Sequence, residues 1–172
     1  MRIAIKWGAV LALGIILWTI AVHLLGFYTD RVQYATLVDT IVLVLPIGVL
    51  TMALLEFRRS EGGALPFGRA LLLGLGVAAV SAPFTVAFLW YYHHHVNPDW
   101  VSYLTAYEEQ KLAAQGVAPA EIANAVTRLQ QGGTDRAQIT GGLIGTLVMG
   151  LLVTVLVTAV LKLLPRPTGK AA

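Results

Sequence analysis

Four long stretches of the chain carry almost no charged side chain, and this pattern constrains the fold more than any other feature. Aspartate, glutamate, lysine and arginine are absent from residues 7–29, 70–98 and 137–161, and Asp39 is the single interruption of residues 32–55. A charged side chain costs roughly 2.5 to 3.5 kcal/mol at the centre of a membrane helix, and about 20 apolar residues cross a bilayer. The sequence therefore predicts an all-α membrane protein with four transmembrane helices.

The composition agrees with this prediction and excludes a soluble globular domain. Only 12% of the 172 residues are charged and 57% are hydrophobic, whereas soluble domains carry about 25% charged residues. We expect a single integral membrane domain over residues 1–172. Its expected parts are transmembrane helices at about 3–26, 35–57, 67–95 and 138–164, a polar segment at about 96–137 and a short tail at 165–172.

The first apolar stretch is expected to be a retained helix, not a secretory signal peptide. Arg2 and Lys6 precede it, but the apolar core of a signal peptide has about 7 to 15 residues and ends at a small-residue cleavage site. Residues 7–26 form a longer stretch, and residues 27–30 contain no pair of small residues. This segment is therefore predicted to stay in the protein as its first span.

The basic residues predict the orientation of the spans. Eight of the twelve lysines and arginines fall on the side that holds both termini, and four fall on the other side together with six acidic residues. Lysine and arginine favour the cytoplasmic side of a span, so both termini are expected in the cytoplasm. The basic residues flank apolar segments and form no single patch, and nucleic acid is therefore not an expected partner.

Residues 96–137 are expected to form an extracytoplasmic segment of two short amphipathic helices. Asn97 is a suitable N-cap for the first helix, and Gly116 is suited to end it. The second helix is predicted to begin near Pro119 and to stop at Gly132. Helices of this kind lie either on the outer membrane surface or across the mouth of the bundle, and the sequence leaves both placements open.

Three consecutive histidines at the end of the third predicted helix are the most conspicuous candidates for chemistry. His93, His94 and His95 lie among aromatic residues and shortly before Asp99. Histidine is the commonest metal ligand, but consecutive helical residues point about 100° apart. An aromatic and histidine belt at the membrane interface and a metal or proton site are both open. The chain has no cysteine, so thiolate metal ligands are excluded.

His23 and Asp39 form a second candidate site because both fall within predicted spans. They are expected at similar depth on neighbouring antiparallel helices, so one hypothesis is that His23 pairs with Asp39 and that one histidine of the triplet joins them. An ionisable group inside a membrane span is a candidate functional group. Such a cluster would bind a proton or a divalent cation. The alternative is that backbone or threonine groups satisfy Asp39 near the helix end.

Arginines at the opposite ends of the spans are predicted to anchor the protein in the membrane. Arg58 and Arg59 precede a turn with two glycines, and Arg69 begins the third helix. Their side chains suit anionic lipid headgroups. A lipid-specific or partner-binding site is the alternative interpretation.

Small residues and prolines predict how the spans pack. Gly141 and Gly145 form a GxxxG pair in the fourth span, and such pairs allow helices to approach closely. Packing within the chain explains the pair, and a homo-oligomer or another membrane-protein partner is the alternative. Pro46 and Pro83 fall within spans and are expected to kink them.

The order of these features resembles a known bacterial family. The resemblance rests on four segments in this order: Lys6-Trp7-Gly8, Glu56-Phe57-Arg58-Arg59, Phe67-Gly68-Arg69, and Asn97-Pro98-Asp99 after an aromatic helix end. This order is similar to that of the DUF4199 family, a domain of unknown function, over nearly the whole chain. The resemblance implies a small four-helix protein of the bacterial inner membrane, and it implies no reaction. The histidine triplet is not part of that pattern.

We therefore expect a non-enzymatic accessory, scaffold or regulatory component of the membrane, without a cofactor. A small oligomeric transporter or channel with a polar site at His23 and Asp39 is the second hypothesis, and it predicts Thr51, Thr85 and Asp39 in one continuous cavity. A membrane-embedded metal-dependent enzyme is the third. It requires a histidine of the triplet to converge with His23, Asp39 or Asp99 on one ion.

Overall fold

The computed structural model describes residues 1–163, and within them the chain forms four long apolar helices and two shorter ones. The long helices are the first span, Arg2–Leu24, the second span, Val32–Ser60, the third span, Phe67–Val96, and the fourth span, Asp135–Leu163. The first connecting helix, Trp100–Ala114, and the second connecting helix, Pro119–Gly132, join the third span to the fourth. The predicted all-helical architecture with four candidate spans is confirmed.

The outer faces of the four spans are apolar. Each span is long and apolar enough to cross a bilayer, and leucine, isoleucine and valine side chains are exposed along their outer surfaces. A soluble monomer rarely exposes apolar patches of this extent. The four candidate spans therefore indicate a multi-pass membrane protein.

The bundle has two chemically different ends. We call one the arginine end, where the turn that contains Glu61, Gly62 and Gly63 joins the second span to the third and where Arg2 and Leu161 also lie. We call the other the cap end, where residues 25–31 and the two connecting helices lie. The first span therefore begins, and the fourth span ends, at the arginine end.

The third span is the centre of the bundle, and small residues let its neighbours approach. It packs extensively against the first and fourth spans. A Cβ at Gly74 would overlap the side chain of Thr154 in the fourth span. A Cβ at Gly150 would come within 2.6 Å of the Ala78 Cβ. Lipid offers no hydrophobic drive for helix association, so this close van der Waals packing holds the spans together.

The second span is interrupted, which corrects the prediction of one continuous helix at 35–57. It consists of Ala35–Ile41 and Val44–Ser60, with a break at residues 42 and 43. Pro46 has no N–H to donate to the carbonyl four residues earlier, at Val42, and its ring crowds that carbonyl. The backbone N–H of Leu45 donates to the Val42 carbonyl instead, at 3.0 Å. Pro46 was expected to kink its span, and the structure instead has a break one turn before it. The third span is continuous through Pro83.

The connecting segment follows the prediction except at its start. The second connecting helix begins at Pro119, and Gly116 ends the turn before it with a φ of +74°. The prediction that Asn97 caps the first connecting helix is wrong, because that helix begins at Trp100 and its cap residue makes no side-chain hydrogen bond. Residue 164 and the predicted tail at 165–172 lie outside the described residues.

Candidate functional site

A cavity of about 320 Å³ lies inside the cap end of the bundle. Its walls come from the first three spans, from Tyr28 in the loop after the first span, and from the start of the first connecting helix. Trp100 and Leu104 of that connecting helix line it. The first connecting helix therefore lies across the mouth of the bundle, one of the two placements that the sequence left open. We call this space the cap-end cavity.

Asp39 and Tyr28 form the polar wall of the cap-end cavity. The Tyr28 hydroxyl donates to Asp39 Oδ1 at 2.6 Å. Burial, together with the hydrogen bond to Asp39 and the charge on its carboxyl, raises the pKa of Tyr28 well above its usual value. Tyr28 thus stays neutral at physiological pH and acts as a fixed hydrogen-bond donor to Asp39.

His23 lies at the same end but does not pair with Asp39. The Tyr92 hydroxyl and His23 Nδ1 share a hydrogen bond at 2.9 Å. Asn97 is buried, and its side-chain amide donates to the Tyr28 carbonyl at 3.3 Å and to the Tyr92 hydroxyl at 3.5 Å. The direct pair of His23 and Asp39, one of the two hypotheses for Asp39, does not form, because each of the two side chains bonds a tyrosine and Asn97 links the tyrosines.

The third span ends in a π-helical turn, Tyr92–Val96, that separates the three histidines. His93 donates through Nδ1 to Gln138 of the fourth span and stacks on Trp100, with ring centroids 4.4 Å apart. His94 donates through Nδ1 to the Trp90 carbonyl at 2.8 Å, and its Nε2 lies 3.3 Å from Asp135. The ring of His95 packs against Tyr91. These contacts fit an interfacial belt, one of the two interpretations that the sequence left open.

The candidate metal ligands do not meet. No group of three histidine or acidic side chains within residues 1–163 is arranged to hold a metal ion. His23, His93 and His94 bond three different residues, Tyr92, Gln138 and Trp90, and Asp99 is exposed at the start of the first connecting helix. The sequence residues that suggested a metal site therefore reach the same end of the bundle without converging on one point.

Of the three arginines that were predicted to anchor the protein in the membrane, Arg58 has a different role in the structure. Arg58 is only 6% exposed, and it donates from Nε to the Gly63 carbonyl at 3.2 Å and from Nη1 to the Leu161 carbonyl at 3.1 Å. The prediction that Arg58 contacts lipid headgroups is wrong, because its guanidinium joins the second span to the turn and to the fourth span. Arg59 is exposed. Arg69 pairs with Glu61 through two hydrogen bonds.

Several polar contacts at the two ends of the bundle were not predicted from the sequence. Glu56 accepts hydrogen bonds from the Lys6 ammonium and from the Trp7 indole, the latter at 2.8 Å. Tyr28 and Tyr92 organise the cap end, yet nothing in the spacing of these residues marks them out from other interfacial tyrosines. The position of Glu56 at the end of a predicted span could have indicated its contacts, because a carboxylate there needs a cationic or N–H partner.

Comparison with known proteins gives a family and no closer relative. A family model described as "Protein of unknown function (DUF4199)" matches residues 6–162. Searches of curated proteins and of solved structures found no match. The matched region contains the whole second and third spans, the first span from Lys6, the fourth span up to Lys162, and the cap-end cavity.

Proposed function

The chain belongs to the DUF4199 family, whose description names no activity, and from the geometry of its cap end we propose that it is a non-enzymatic accessory component of the bacterial inner membrane. In this proposal it has a scaffold or regulatory role, and the cap-end cavity binds a ligand without transforming it. The observation that carries the proposal is a largely apolar cavity with one carboxylate, Asp39, on its wall.

The composition of the cavity wall supports binding. Small-molecule sites are mostly apolar with a few placed polar groups, and the cap-end cavity follows this pattern with Asp39, Tyr28 and Asn97 among leucine, isoleucine and valine side chains. Trp100 and Leu104 cover the cavity from outside the spans. A bound molecule would thus bridge the spans and the connecting segment, which gives a regulatory ligand a way to bias their contact.

The engagement of the histidines supports a non-enzymatic role. General acid–base or metal chemistry needs titratable groups that converge on one reacting position. Here His23 and His93 hold Tyr92 and Gln138 of neighbouring spans. Their contacts are those of side chains that fix helix packing.

The distribution of charge supports an orientation with the arginine end in the cytoplasm. The basic residues of that end in the described chain are Arg2, Lys6, Arg58, Arg59, Arg69 and Lys162. At this end Lys162 lies over the Phe67 ring, 5.3 Å from its centroid, and Arg69 lies over the Phe57 ring. Cations and aromatic rings at one level are typical of the headgroup region of the cytoplasmic leaflet.

Purification with native lipids tests the proposed binding. We expect mass spectrometry of the intact protein to show a retained amphiphilic molecule. Its removal should lower the melting temperature by about 5 °C or more, since a ligand at 100 times its Kd stabilises by about 2.7 kcal/mol. Adding the molecule back should restore the melting temperature. Protein that retains nothing and has the same stability after delipidation would contradict the proposal.

Transport is the second candidate function, and the break in the second span is the observation that favours it. Transporter sites are often formed by discontinuous helices near the bilayer midplane. Of the three residues that the transport hypothesis places in one cavity, Asp39 lines the cap-end cavity, whereas Thr51 and Thr85 do not. Counterflow of the retained molecule across proteoliposomes would favour transport over the accessory role.

A further inference from the structure

A second space adjoins the cap-end cavity and extends into the middle of the bundle. It has a volume of about 340 Å³ and lies between the second and fourth spans. Ile15 and Val42 line both spaces, which therefore meet at these side chains. The walls of the second space are apolar or glycine apart from Thr146. We call it the lateral groove.

The lateral groove lies beside the break in the second span, where Val42, Leu43 and Pro46 line it. Val44–Ser60 packs against the first, third and fourth spans, whereas Ala35–Ile41 makes no extensive contact with the third or fourth. Leu43 is exposed at the edge of the groove, and a Cβ added at Gly145 would have no neighbour within 4 Å. The groove is therefore open on the lipid-facing surface of the bundle.

The polar wall at the cap end offers one acceptor that is only partly used, the Asp39 carboxylate. Asp39 Oδ1 accepts from Tyr28, and no further partner of the Asp39 carboxylate is found among residues 1–163. The described residues that line the cavity include no lysine or arginine.

We propose that the cap-end cavity and the lateral groove together bind one zwitterionic phospholipid whose headgroup ends in a primary ammonium. The ammonium donates to Asp39, and one acyl chain lies in the lateral groove. The ligand comes from the bilayer, because the groove opens on the lipid-facing surface. Purely anionic headgroups are disfavoured, since the wall presents a carboxylate and no lysine or arginine. This proposal rests on the binding function proposed above and names its ligand class.

Lipid retention tests the headgroup part of the proposal. The full chain is placed in nanodiscs that contain equal amounts of phosphatidylethanolamine, phosphatidylglycerol and phosphatidylcholine, and the lipids retained after extraction are counted by native mass spectrometry. We expect wild type to retain phosphatidylethanolamine. Asp39→Asn should reduce its preference over phosphatidylglycerol by about tenfold or more, since a hydrogen bond to a charged group is lost. Asp135→Asn is the matched control, because Asp135 lies at the same end and lines neither space, and it should keep the preference.

A pair of glycine variants tests the acyl-chain part. Gly145 lines the lateral groove and Gly141 does not, and a Cβ meets no atom within 4 Å at either position. Gly145→Leu should lower the retention of all three lipids several-fold, whereas Gly141→Leu should retain them as wild type does. Quenching of tryptophan fluorescence by phosphatidylethanolamine with brominated chains gives a second readout that needs no groove variant. It should be stronger in wild type than in Asp39→Asn.

The possible outcomes separate this proposal from the function on which it rests. Wild type that retains lipid without headgroup preference, or prefers phosphatidylglycerol, would overturn the ligand class and leave the binding function standing. Wild type that retains no lipid would overturn both. A change of oligomeric state in both glycine variants, with lipid retention unchanged, would show that a second copy of the chain occupies this face and would overturn the proposal.

Discussion

Replacement of Gly74 by alanine is expected to destabilise the bundle strongly. A Cβ at this position in the third span would overlap the side chain of Thr154 in the fourth. Thr154 is fully buried and its hydroxyl donates to the Gly150 carbonyl at 2.6 Å, so it has little freedom to move aside. Overpacking of a core costs about 1–3 kcal/mol and occasionally more. We expect a loss of about 3 kcal/mol or more because the added methyl meets an anchored side chain.

Thermal unfolding in detergent measures this effect. A loss of this size lowers the melting temperature of a chain of this length by about 6 to 12 °C. Gly145→Ala is the matched control, since its Cβ enters open space in the neighbouring span, and it should melt near wild type. Thr154→Gly should partly rescue Gly74→Ala, because the overlapping side chain is then absent. Equal melting temperatures for Gly74→Ala and Gly145→Ala would show that the third and fourth spans do not pack together at Gly74 and Thr154.

Removal of the Arg58 side chain is the second change with a large expected effect. Arg58 is buried at the arginine end, and it donates to the carbonyls of Gly63 and Leu161. The bond to Leu161 reaches the fourth span, so this side chain links two spans and the turn at one end of the bundle. Hydrogen bonds to charged groups contribute about 1.5–3 kcal/mol each. Arg58→Ala should therefore cost about 3 kcal/mol or more.

Comparison with the neighbouring arginine isolates this role. Arg59 is exposed, so Arg59→Ala should change the unfolding free energy by less than about 0.5 kcal/mol. Arg58→Lys keeps the charge but lacks the fork that reaches both carbonyls, and its stability should fall between those of wild type and Arg58→Ala. Unfolding in detergent by increasing denaturant measures all three. Equal free energies of unfolding for Arg58→Ala and Arg59→Ala would show that the hydrogen bonds of Arg58 do not stabilise the fourth span.

The number and rough limits of the spans were predictable because charge in hydrocarbon is costly. The third predicted helix, 67–95, differs from Phe67–Val96 by one residue. The second connecting helix began at Pro119 as predicted, since proline suits the first helical position and its missing N–H costs nothing there. These features depend on local sequence alone, and local sequence was sufficient for them.

The faces that the spans bury were not predictable from the sequence. Gly141 and Gly145 carry the GxxxG spacing, yet a Cβ added at either would meet no atom within 4 Å, whereas a Cβ at Gly142 or Gly150 would meet Val86 or Ala78. A span that is apolar on all sides has no polar face to fix its rotation, and small residues on two faces are equivalent in the sequence. Only the packed bundle distinguishes them.

The cap-end site was predictable in location but not in its connections. Asp39 and His23 were expected at one end, and they lie there. The intervening tyrosines and Asn97 depend on the π-helical turn that ends the third span, and on contacts between residues that lie 69 apart in the chain. Arg58 was misassigned for the same reason, because its partner in the fourth span is 103 residues away.

Cysteine accessibility tests most directly the claim that four spans place the arginine end and the cap end on opposite sides of a membrane. The chain has no cysteine, so Ser60→Cys at the arginine end and Gln110→Cys on the first connecting helix introduce single thiols at exposed positions. A membrane-impermeant maleimide is applied to cells whose outer membrane has been opened. Gln110→Cys should react at once, and Ser60→Cys should react only after the inner membrane is broken. Reaction of both thiols in cells with an intact inner membrane would contradict the account.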